Sequence, residues 1–209
     1  YNTLKNSPFL SIDHGIYFDF KIPNDDLQKL ITCVKNYVIK SLVHFYKETH
    51  FLIDDSFLIT YEQEILSLPN RAHSGVLHPK KENIIEYNII QNNVVKLFRD
   101  IGLLNGIVAI QPCTVRVMCG KINQMDNERP LATTKLHSDS WASQIGDGIV
   151  SVPLMGDSKT SVRFYEPRGL SHDFFSPLSN YDEGLKKFKD KAFLGNIRMG
   201  HVSVFDHAC

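Results

Sequence analysis

The sequence predicts an α+β fold in which helices pack outside a small antiparallel jelly-roll core. Three observations carry that expectation. The chain has 209 residues, 43% of them hydrophobic, enough for a single domain with a sizeable core. Up to about residue 106 its apolar residues recur at helical spacing. Beyond that point short runs with strand character alternate with turn residues, the pattern of a sandwich or barrel. One domain over 1–209 is therefore expected, with a mainly helical flank over 1–106 and the jelly-roll core over 107–209.

Taken in order, Phe9 to Phe20 suits an N-terminal strand. Asn24 is a good N-cap, and Asp25 and Asp26 suit the positive end of a helix dipole. Leu27, Leu30, Ile31, Val34, Val38, Leu42 and Phe45 then form one apolar face of a long helix. Phe57 to Leu66 suits a short helix, and Ser67 to Lys81, with Pro69, Gly75 and Pro79, reads as a loop. A second long helix is expected over Glu82 to Leu104, stopped by Asn105-Gly106. Strands are then expected over Ile107–Met118, Thr134–Trp141, Gly148–Leu154, Ser161–Glu166, Ala192–Ile197 and His201–Asp206, with Asp182 to Lys191 a short helix or an excursion.

Composition narrows the function. With 23 basic and 23 acidic residues, the chain lacks the electrostatic footprint of a nucleic-acid binder or of a protein held on anionic lipid. No apolar run reaches the ~18 residues that span a bilayer, and no signal peptide opens the chain. Cys33, Cys113, Cys119 and Cys209 lack zinc or redox spacing, so free thiols in a reducing, cytoplasmic setting are expected. Walker, Rossmann and Gly-x-Ser-x-Gly motifs are absent from the sequence.

The sharpest local feature is Leu136-His137-Ser138-Asp139-Ser140-Trp141. On a strand, His137 and Asp139 project from one face, as does Trp141, which could wall a substrate pocket. An imidazole and a carboxylate are two of the three protein ligands of a facial triad, which leaves open positions on divalent iron. The spacing alone is weak, because nine histidines and 23 acidic residues should yield His-x-Asp/Glu by chance about once. Its context adds more. Gly200-His-Val-Ser-Val-Phe205 follows downstream, and Gly148 to Asp157 and Ser161 to Pro167 lie between.

With these segments the chain resembles the iron- and 2-oxoglutarate-dependent dioxygenase superfamily over about residues 107–209. The resemblance implies a double-stranded β-helix, Fe(II), 2-oxoglutarate as co-substrate, and hydroxylation of a small polar metabolite. It implies His137 and Asp139 as metal ligands. In many relatives the distal histidine lies a few residues beyond the Phe, which from Phe205 falls past Cys209, so the core is expected to continue beyond that residue. Within the chain, His207 shares the Phe205 face and is the better candidate; His201 at the strand entrance comes after it. Arginine offers a bidentate fork for the distal carboxylate of 2-oxoglutarate. Arg163, with Tyr165 on its own face, is the candidate; Arg116 suits a substrate contact, and Arg198 a turn. The polar run Lys121 to Thr133 has the length of a lid. The alternatives are a cupin-like metal enzyme without 2-oxoglutarate and a non-catalytic jelly-roll binding module.

Overall fold

The computed structural model describes residues 17–48, 50–72, 74–105, 109–118, 148–156, 163–165, 186 and 193–206; at 17, 18, 163–165, 193–196 and 206 it describes the backbone alone. They form a mixed α+β chain with small antiparallel sheets and, among the described residues, no closed barrel. No described helix is long and apolar enough to cross a membrane. The chain divides into two compact units. One takes Pro23–Lys121 and Leu154–Gly156; the other takes Tyr1–Ile22, Ile122–Pro153 and Asp157–Cys209.

The helical unit is built on α1 (Asn24–Tyr46) and α4 (Ile84–Asp100), which pack on each other. Leu30, Val34, Tyr37, Val38 and Leu42 are the buried stripe of α1, at the spacing the sequence sets. Asn24 is the first helical residue rather than the cap. Pro23 holds the cap position in extended geometry, and its carbonyl accepts the first helical bond from Leu27 N at 2.9 Å. Helix α4 stops before the expected Asn105-Gly106. Gly102, at φ +75°, donates to Arg99 O, and Leu103 N donates to Phe98 O at 2.8 Å, a Schellman turn.

Between these helices, the expected single helix is two, α2 (Phe57–Thr60) and α3 (Glu62–Leu66), separated at Tyr61. The Tyr61 ring packs on Phe51 and Phe57, and its hydroxyl accepts Leu52 N at 3.0 Å. The expected loop 67–81 contains a strand, β2 (Val76–Leu77), paired antiparallel with β3 (Val115–Arg116). Two-residue strands are too short to show alternation, and β3 is the described remnant of the strand expected over Ile107–Met118. Phe57, Ile65, Leu68, Leu77, Ile90 and Val115 complete the core with α1.

The sheet unit centres on β7 (His201–Asp206), flanked by β1 (Tyr17–Lys21) and β4 (Gly148–Ser151), all antiparallel. Val202, Ser203 and Val204 of β7 are essentially inaccessible. Just before the strand comes Gly200, whose φ of +69° suits glycine. Gly200 ties both neighbours to β7: its carbonyl accepts Ile22 N at 2.9 Å, and its N–H donates to Pro153 O at 3.0 Å. Separately, β5 (Arg163–Tyr165) pairs with β6 (Phe193–Asn196). The Thr134–Trp141 strand lies outside the described residues, as does the Asp182–Lys191 excursion apart from helical Lys186.

Candidate functional site

Strand β1 alternates aromatic and charged residues, Tyr-Phe-Asp-Phe-Lys. Its register on β7 sets Asp19 opposite Ser203 and Lys21 opposite His201; Ser151 of β4 opposes Ser203 from the other side. Directly opposed residues share a sheet face. One face of the β1–β7 seam therefore gathers an acid, an imidazole, a hydroxyl and a lysine.

The Asp19 side chain is only 9% exposed and is met by two donors and an imidazole nitrogen. Ser203 Oγ donates to Oδ1 at 3.2 Å. Arg198 donates to Oδ2 through Nη2, with its side chain otherwise 61% exposed. His201 Nδ1 lies 2.8 Å from the same Oδ2. That nitrogen is buried, but it is not aligned for a hydrogen bond, so the contact is one of proximity. Burial pushes the His201 imidazole below its ordinary pKa, and the charges of Arg198 and Lys21 push it the same way. Because Arg198 already matches the Asp19 charge, the carboxylate does little to draw a proton onto His201. The result is a neutral imidazole beside a matched ion pair.

Of the residues singled out in the sequence, some lie outside the described residues and the others fall on separate elements. His137, Asp139, Trp141 and His207 lie outside the described residues, as does the Lys121–Thr133 segment. Arg163 and Tyr165 are on β5, whose pairing with β6 shifts register between Phe164 and Tyr165, the extra residue being Leu194 of β6. Arg116 is exposed on β3 in the helical unit. Arg198 sits at a turn, as expected, closed by His201 N to Arg198 O at 3.2 Å with Gly200 in its left-handed position. His201 opens β7, at the strand entrance.

Among the described residues, no group of three or more His, Cys, Asp or Glu is placed to hold a metal. Both described thiols, Cys33 and Cys113, are pushed up by burial, away from the thiolate a nucleophile needs. Gln91 instead clamps Cys113: its Oε1 accepts Cys113 N at 2.9 Å and its Nε2 donates to Cys113 O at 3.1 Å.

Asp19 escaped the sequence reading, although a signal was present. Aspartate is depleted in strands, so one between two phenylalanines in a strand pattern marks a carboxylate held for a partner. The partners, Arg198, His201 and Ser203, come from the far end of the chain, and only the register reveals them. No family model matches the chain, and no curated protein or solved structure matches it.

Proposed function

We propose that the chain is a non-haem iron, 2-oxoglutarate-dependent oxygenase of hydroxylase type, built on a jelly-roll core and acting on a small polar metabolite. The observation that carries this reading is the nesting of strand pairs. Strand β5 pairs with β6, and outside them in the sequence β4 pairs with β7, both antiparallel, so the two pairings are nested. A jelly roll extends the same order of pairing outward. The next pair would join the segment before β4, carrying His137 and Asp139, to the segment after β7, which His207 opens.

In that site His137, Asp139 and His207 would hold the metal, a nitrogen-and-oxygen donor set that suits divalent iron. Bound iron supplies dioxygen activation, coupling conversion of 2-oxoglutarate to succinate and carbon dioxide to hydroxylation of the substrate. Arg163 would fix the distal carboxylate of 2-oxoglutarate, with Tyr165 near it, and Trp141 would wall the substrate pocket. The test is anaerobic titration of the protein with Fe(II) and 2-oxoglutarate. A visible metal-to-ligand charge-transfer band is expected, and its loss in His137→Ala. No band in the unsubstituted protein overturns the assignment and leaves a cupin-like metal enzyme or a non-catalytic jelly-roll module.

A further inference from the structure

A guanidinium and an imidazole address one buried oxygen at the seam between β1 and β7. Arg198 Nη2 and His201 Nδ1 both meet Asp19 Oδ2, while Ser203 Oγ occupies Oδ1. With His201 neutral, the guanidinium and the carboxylate match, and Lys21 is exposed. A proton on His201 would set an additional cation against the same carboxylate. Among the described residues, the charged groups facing His201 are Asp19 and Lys21 from β1 and Arg198 from the turn; β4 brings Ser151 and no charge.

We propose that Asp19, Arg198 and His201 form a proton-sensitive clasp that holds β1 on β7 at neutral pH and loosens in mild acid. Among the described residues, β1 lies at the end of its three-stranded sheet and pairs with β7 alone, so the clasp joins that outer strand to the central one. Released, β1 would leave the backbone edge of β7 unpaired, a template on which another strand can add. The sign follows from the environment of His201. Burial and two neighbouring cations hold its pKa below the ordinary value while β1 is docked. The undocked state therefore binds the proton more readily, and docking weakens as pH falls below about 6.5.

Hydrogen exchange of the full chain, read on the peptide covering Tyr17–Lys21, tests this. Between about pH 7.5 and about pH 5.5, a span that brackets the ordinary imidazole pKa, protection corrected for intrinsic exchange is expected to fall several-fold. Protection at Gly148–Ser151 is expected to hold. His201→Gln should abolish the pH dependence. Arg198→Gln should raise the His201 pKa measured by NMR, because Asp19 is then left for the imidazole. Unchanged β1 protection across the range overturns the clasp, as does an Arg198→Gln variant whose imidazole titrates where the unsubstituted one does.

Discussion

The helical unit and the sheet unit bury polar groups in opposite ways. In the helical unit Lys35 of α1 is buried and donates to Asp54 O at 2.6 Å, and the other polar atoms beneath α1 form a neutral network. Asn83 Nδ2 donates to Ser41 Oγ at 2.7 Å, Asn70 Nδ2 donates to His78 O at 2.9 Å, and the Tyr37 hydroxyl donates to Leu77 O at 2.8 Å. Amides and hydroxyls satisfy one another there, and burial pushes the one titratable member, the Tyr37 hydroxyl, far above its ordinary range, so it keeps its proton. Along the β1–β7 seam the sheet unit instead holds a carboxylate with two titratable or cationic neighbours on one oxygen. The first arrangement fixes the 67–83 segment on α1 at any ordinary pH; the second makes strand docking depend on one. Buried polarity serves as a fixed tie or as a sensor according to whether its members carry charge.

The sharpest way to break the comparison is to remove what the neutral network rests on. Phe57 is fully buried in the helical core, with the Tyr61 ring 5.6 Å away. Phe57→Ala removes a whole ring from a packed site and is expected to cost about 3–5 kcal/mol. Chemical denaturation monitored by far-ultraviolet circular dichroism measures it, because the long helices dominate that signal. A loss below about 1 kcal/mol, the scale of an exposed site, would mean that the helical core is not close-packed there.

Next in size is a substitution that carries the sheet unit's chemistry into the helical one. Asn83 is inaccessible; its Oδ1 accepts Lys80 N at 2.6 Å and its Nδ2 donates to Ser41. Asn83→Asp keeps the acceptor, deletes the donor and buries an ionisable acid. Burial raises an aspartate's pKa, so folding favours the protonated form, and stability is lost as pH rises through the carboxylate range. At neutral pH a deficit of about 2–3 kcal/mol is expected. Relative to the unsubstituted chain at each pH, it should shrink towards about pH 4. A deficit independent of pH would show that charge plays no part in it.

How much of this was legible in the sequence follows the range of the interactions. Both long helices were, because the stripe from Leu30 to Leu42 needs only its own periodicity. Strand β7 was legible to the residue, since Gly200 breaks the chain just before an apolar run. Strand β2 was not, because its partner β3 lies far along the chain and neither is long enough to alternate. The α4 stop was misplaced because Gly102 and Gly106 both offer a left-handed residue, and the fit of Leu103 N to Phe98 O selects the first. Of the β1–β7 cluster, single residues were visible and their meeting was not: Arg198 was read as a turn residue and His201 as a strand-entrance histidine.

The smallest expected effect concerns left-handed backbone. Gly200 takes that conformation at the turn into β7, and Gly102 takes it after α4. The helical unit ends α1 on Lys47, at φ 60° and ψ 18°, the one non-glycine residue with positive φ among those described. Its N–H still donates to Val43 O at 2.9 Å, so the cap bond is intact and only the conformation is unfavourable. An L-residue with a Cβ is disfavoured there by roughly 1–2 kcal/mol. Glycine removes that cost but adds about 0.4–1 kcal/mol of unfolded-chain freedom. Lys47→Gly is therefore expected to stabilise by about 0.5 kcal/mol, seen as a small rise in denaturation midpoint at unchanged slope. A fall in midpoint would mean that the Lys47 side chain contributes more than its backbone costs. The end of α1 would then be held by that side chain as well as by the cap bond.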